Sequence, residues 1–191
     1  MDIFLQVWGG AFYLSNKMLF AFSEAKVAQQ KRKLTMLAWV AFLIGVPAWL
    51  IILVEQGNWI AASVEAGGIP AMLLGLYNTY HNNLRPNQLF NKVVTVSTYA
   101  SLAFGLGYSL WLHVGVTSIT QVLEMGVMLG FLFGSYLMAK GNPKGWLFFM
   151  LMNLSMAALM LMQGKVILML QQLLSLCFVI YGFKQSSKAA S

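Results

Sequence analysis

Apolar residues run along this chain in blocks of about twenty, separated by short polar breaks. The blocks fall at roughly 3–23, 34–54, 59–80, 92–113, 117–138, 145–162 and 166–184. Each is close to the ~20 residues that an α-helix needs to cross bilayer hydrocarbon. A helix also satisfies its own backbone hydrogen bonds where no water can. The pattern therefore predicts an all-α integral membrane protein of seven transmembrane helices, one polytopic domain over 1–191.

The polar breaks are not alike. Lys26, Lys31, Arg32 and Lys33 follow the first block, Arg85 and Lys92 the third, Lys140 and Lys144 the fifth, and Lys184 and Lys188 the last. The loops on the other side hold only Lys165. Basic loops stay in the cytoplasm, so the N-terminus is expected outside and the C-terminus inside, in an inner (cytoplasmic) membrane. Asp2 precedes the first block and the basic cluster follows it, the reverse of a signal peptide.

Composition fixes the solvent. The chain is 59% hydrophobic and 9% charged, with a mean hydropathy of +0.72, where a soluble domain carries roughly 25% charged residues. The net charge of +7 is then a topology signal at helix ends, and no nucleic-acid partner is expected. Cys177, the one cysteine, lies inside the last block and reads as a small apolar filler.

A shift of 107 positions pairs Trp39 with Trp146, Phe42 with Phe149, Gln56 with Gln163, Gly57 with Gly164, Ile60 with Ile167 and Gly75 with Gly182. Helices one to three and five to seven share an orientation, and helix four makes that possible. The expectation is a parallel repeat, three plus one plus three: repeat one about 3–80, a linker helix about 92–113, repeat two about 117–184. Substrate sites in such proteins lie between the repeats.

A polar group inside a span needs a reason. Glu65 lies in the third span, Glu124 in the fifth, Asn153 at the centre of the sixth, and Gln171 and Gln172 in the seventh, with Gln172 the repeat partner of Glu65. By depth, Glu65, Glu124 and Gln172 fall outward of the midplane and Asn153 on it. A chamber that opens outward and closes near Asn153 accounts for this. Each has a plainer reading: Glu65 a protonated acid bonded to a neighbouring helix, Glu124 a hydrated interfacial acid, Gln171 or Gln172 interhelical glue. Lys17 reads as snorkelling to the cytoplasmic headgroups. Met150, Met152, Met156, Met160 and Met162 read as lipid-facing or gap-filling, and His81 and His113 as loop or interfacial residues.

No phosphate-cradling Gly-rich loop, no nucleophile elbow and no CxxC occurs. The expectation is a protein without catalytic residues, metal or cofactor, which binds and releases a solute.

In GWLFFMLMNLSMAALMLMQGK, Trp146, Phe149 and Asn153 stand at i, i+3 and i+7 and share a helix face. Two rings and an amide suit a planar ligand. The plainer reading makes Trp146 an inner-interface anchor beside Lys144. The pattern W-x-x-F-x-x-x-N resembles the W-x-x-W-x-x-x-N signature of the PnuC-type vitamin transporters. The resemblance continues through QGKVILMLQQLLSLCFVIYGFKQ, which is similar to that family's last helix. It reaches the third span, where Glu65 stands ten residues before Gly75 in place of the family's glutamine.

The resemblance implies a full-length SWEET-like fold and facilitated diffusion of a small planar vitamin or nucleoside such as nicotinamide riboside. It implies stacking by Trp146 and Phe149, and polar recognition by Asn153 and Glu65. Gln172 and Glu124 complete the expected substrate-binding set. Phe149 replaces a tryptophan and cannot donate a hydrogen bond. Pro47 and Pro70 lie inside spans, and Pro70 after Gly67 and Gly68 suggests a kink or hinge. The expected partners are a small-molecule substrate and the lipid bilayer, with room for a homo-oligomer. A SWEET-like sugar transporter and a membrane enzyme or scaffold are the alternatives.

Overall fold

The computed structural model describes residues 3–55, 59–82, 87–112 and 114–190. Seven helices make up the described chain: α1 (Ile3–Ser23), α2 (Ala28–Glu55), α3 (Trp59–Tyr80), α4 (Gln88–Leu112), α5 (Ile119–Ala139), α6 (Gly145–Met162) and α7 (Val166–Ala190). Four of them, α2, α4, α5 and α6, are each long and apolar enough to cross a membrane. The apolar blocks predict the bounds of α1, α3 and α6 to the residue. By contrast α2 and α4 begin earlier, and α7 ends later, than their blocks. The extensions of α2 and α7 carry the basic residues Lys31, Arg32, Lys33 and Lys188.

Local chemistry sets several ends. Ser118 caps α5, its side chain accepting from the Gln121 backbone N–H. The α5 and α6 C-termini close the same way. Gly141 and Gly164 both take φ +68, and the next N–H reaches back to Leu137 and Met160 respectively. Only glycine adopts that left-handed turn without strain. Pro47 and Pro70 lie within α2 and α3, and neither ends its helix.

The helices form a closed circuit. α1 contacts α2, α2 contacts α3, α3 contacts α5, α5 contacts α6, α6 contacts α7, and α7 returns to α1. α4 lies outside this circuit, against α3 and α5. The circuit has a two-fold sense. The α3–α5 contact corresponds to the α7–α1 contact when α1–α3 is exchanged with α5–α7.

Two tryptophan–glycine pairs obey the same exchange. A Cβ on Gly75 would fall 2.2 Å from the Trp39 ring, and a Cβ on Gly182 would fall 2.4 Å from the Trp146 ring. All four residues are identities of the 107-residue shift, and each pair joins the second helix of a triplet to the third. Of the other paired positions, Gln56 and Gly57 lie outside the described residues, as do the side chains of Ile60 and Ile167.

Gly67 and Gly68, which suggest a hinge in sequence, serve as contact notches. A Cβ at either would fall within 2.4 Å of Ser101 on α4 or Phe131 on α5. Such small residues let membrane helices approach closely. At the α7–α1 seam the Gln171 side chain donates to the Gly10 carbonyl at 3.1 Å, the glue role expected of it.

The outer surface is apolar. On α6, Leu147, Leu151, Leu154 and Leu161 are exposed, while Trp146, Phe149 and Asn153 on the opposite face are fully buried. Exposed leucines, isoleucines and valines recur on α1, α2, α4, α5 and α7. A surface of this kind fits hydrocarbon as its solvent.

Candidate functional site: a central cavity above an aromatic layer

A cavity of about 270 Å³ lies inside the circuit and takes side chains from all seven helices. Its polar wall includes Gln6, Tyr13 and Lys17 from α1, Glu65 from α3, Glu124 from α5, and Gln171 and Gln172 from α7. Its apolar wall is largely methionine. Met152, Met156 and Met160, at i, i+4 and i+8, face it with Met128.

Several of the polar atoms are shielded from solvent and have no hydrogen-bond partner: Tyr13 OH, Lys17 Nζ, Trp49 Nε1 and Glu65 Oε1. Burying such atoms unpaired is costly. A molecule bound among them could supply what they lack.

Aromatic rings floor this cavity. Phe20 meets Trp39 edge-on at 4.8 Å and Trp146 at 6.5 Å. Trp39 stacks on Phe42, and Phe42 meets Phe131 edge-on at 5.9 Å. Lys17 Nζ lies 3.2 Å from the centroid of the Phe149 ring and 4.8 Å from that of Phe42. Lys17 and Phe131 line the central cavity. Phe20 and Trp146 line a second cavity of about 340 Å³, at the end of the bundle that carries the basic loops. The aromatic layer is the partition between the two.

The second cavity has its own polar rim. Lys31 pairs with Glu24. Arg32 donates to the carbonyls of Thr79 and Tyr80 at the end of α3. Asn78 donates to the Ala139 carbonyl at the end of α5, at 2.8 Å. Side chains of one triplet thus satisfy helix-end carbonyls that would otherwise be orphaned, within α3 and across to α5.

The structure divides the sequence-predicted residues between these places. Glu65, Glu124 and Gln172 line the central cavity. Trp146 lines the second, with its indole N–H unpartnered. Its complete burial excludes the interface-anchor reading. Phe149 lies in the partition under Lys17. Asn153 donates to the Phe149 carbonyl of its own helix at 2.7 Å, and its Oδ1 is buried without a partner. These three share one buried face, as their spacing predicts; Trp146 lines the second cavity, and Phe149 and Asn153 are in neither lining.

Two readings are corrected. Lys17 does not snorkel: it is only 2% exposed and sits in the core. The methionines of α6 do not all serve lipid or filler, since three line the cavity. Of the other polar positions, Gln121 is a structural staple. Its amide donates to the Ser109 and Gly115 carbonyls and accepts from the Thr117 N–H, fixing the α4–α5 connection. His81 packs at a tilt against Tyr77 at the end of α3, and His113 lies outside the described residues. Among the described residues no group of three or more His, Cys, Asp or Glu could hold a metal ion.

No family model, no curated protein and no solved structure matches this chain.

Proposed function

We propose that this chain is a seven-span membrane transporter of the PnuC type. Its two three-helix bundles rock about a central site that carries a small planar solute of the vitamin or nucleoside class. The observation that carries this reading is the central cavity itself. It lies between two triplets related by a two-fold sense, it is lined by shielded polar atoms without partners, and an aromatic layer divides it from a second cavity. A site between two repeats, closed on one side by a partition, suits rocking of the repeats around it. The paired Trp39–Gly75 and Trp146–Gly182 contacts support a three plus one plus three repeat. The W-x-x-F-x-x-x-N motif supports the family.

In this reading the basic loops face the cytoplasm and the central cavity opens outward. Solute enters against Glu65, Glu124 and Gln172. Rocking of the bundles separates the rings of Phe20, Trp39, Trp146 and Phe149 and admits it to the second cavity. Facilitated diffusion needs no further chemistry.

The test is uptake into proteoliposomes of labelled nicotinamide riboside, thiamine, nucleosides and glucose, with tryptophan fluorescence titrations on purified protein. Saturable uptake of one planar member, competed by its analogues, is expected. Saturable uptake of glucose alone would replace the vitamin class with a sugar. No saturable uptake and no titration by any solute would overturn transport.

A further inference from the structure

We propose that the central cavity binds its solute through a carboxylate, held by Lys17 and the Tyr13 hydroxyl on the α1 wall. This rests on the transporter reading above and narrows its substrate class.

Tyr13 and Lys17 stand four residues apart on α1, so both project to one face of the helix. Both line the central cavity. The Tyr13 hydroxyl and Lys17 Nζ are shielded from solvent, and neither has a hydrogen-bond partner. Both are donors. Trp49 Nε1, a third unpartnered donor on the same wall, lies beside Gly9 of α1. Its ring is 5.8 Å from that of Tyr13. A wall that gathers donors and leaves their acceptor unfilled is chemistry for an anion.

The lysine is also held ready. Its Nζ lies over the Phe149 ring, with Phe42 as a second face. A ring face attracts a cation but accepts no strong hydrogen bond, so the amine's donors have no protein acceptor. Among the described residues no carboxylate pairs with it. The ion pair found among the described residues joins Lys31 to Glu24, outside the cavity. Glu65 and Glu124 line the same cavity yet make no ion pair with Lys17.

The acidic side chains set the charge of the ligand. The cavity takes two lysines, Lys17 and Lys165, and two glutamates, Glu65 and Glu124. A single carboxylate matches the one amine, Lys17, on the donor wall and can leave a ring N–H or amine for Glu65 Oε1. A phosphate dianion would bring a second negative charge into a space that already holds two carboxyl groups. At about 270 Å³ the cavity is at the small end of ligand sites, which suits a single ring with a short polar arm.

The test compares matched acids and amides on purified protein by calorimetric titration: nicotinate against nicotinamide, each free and as its riboside. The parent is expected to bind the acid at least tenfold tighter than the amide. Lys17→Met should erase that preference, Lys17→Arg should keep part of it, and Tyr13→Phe should lower acid affinity severalfold without changing amide affinity. An amide bound as tightly as its acid by the parent overturns the proposal, whatever the variants do. So does a preference that survives in Lys17→Met. Inorganic phosphate displacing nicotinate more strongly than nicotinate displaces itself would overturn the choice of carboxylate. An amide that binds and is transported would meanwhile leave the transporter reading standing. Binding of neither member of any pair removes the central site and this proposal with it.

Discussion

Glu65 presents a shielded oxygen to a cavity that Lys17 and Lys165 also line. Glu65→Gln keeps an acceptor there and removes the ionisable proton. A hydrogen bond is worth about 0.5–1.5 kcal/mol net. The variant is therefore expected to shift affinity by up to about tenfold for solutes with an N–H donor, and little for others. Uptake competition across the panel checks this, and an unchanged ranking would take Glu65 out of the site. Asn153 is a different case, because it bonds within its own helix beside the partition. Asn153→Ala should leave affinity within about twofold and lower stability by about 0.5–1.5 kcal/mol, the worth of the one hydrogen bond it gives to the Phe149 carbonyl of its own helix. Uptake should slow. Affinity lost together with uptake would move Asn153 into the chamber wall. Legibility differed by residue type. Carboxyls and amides inside an apolar block stand out in any sequence, and Glu65, Glu124 and Gln172 do line the cavity. A lysine six residues from a helix end has a cheap escape to the headgroups, so only the fold reveals that Phe42 and Phe149 enclose Lys17.

Within the helices, backbone approach is set where side chains are missing. A Cβ on Gly130 would fall 2.5 Å from the Met152 backbone nitrogen. There α5 and α6 meet main chain to main chain. Gly130→Ala must push the two helices apart and is expected to destabilise the bundle by about 1–3 kcal/mol or more. Gly75→Ala and Gly182→Ala meet a tryptophan ring instead. They should cost comparable amounts to each other, as equivalent contacts in the two triplets. Thermal unfolding in detergent measures all three, and one tryptophan-facing site far more tolerant than the other would count against the repeat. Helix positions were legible because apolar blocks of bilayer length leave little choice. The early starts of α2 and α4 and the late end of α7 were not, since polar turns beyond the hydrocarbon look like loops. The 107-residue shift was visible as scattered identities. Its meaning comes from Trp39 touching Gly75 as Trp146 touches Gly182.

For the whole molecule, the alternation of basic loops makes one firm demand. A protease site placed after Ser191 should resist digestion in intact spheroplasts and be cut once the cytoplasmic face is opened. Cleavage in intact spheroplasts would reverse the orientation and exchange the outward and inward roles of the two cavities. The layout of the chambers could not be read from the chain. The floor takes rings from α1 and α2 and from α5 and α6, two pairs that lie far apart in sequence and meet only in the closed circuit.

The position of α4 gives that circuit an unequal pair of seams. At α3–α5 a seventh helix lies along the joint, and a Cβ on Gly67 would strike Ser101 of α4. At α7–α1 no such splint is present among the described residues; Gln171 donates to the Gly10 carbonyl, and Phe22 meets Phe178 and Tyr181 edge-on. The two halves are bound like the covers of a book, with a spine on one edge and a clasp on the other. Bundles so joined swing rather than slide, and the α7–α1 edge travels farther than its counterpart. Cysteines at positions 10 and 171, in a Cys177→Ser background, should arrest uptake when bridged by a short bifunctional reagent and release it on reduction. A bridge between positions 68 and 131, across α3–α5, should be tolerated. Equal arrest from both bridges would mean that neither edge is the spine.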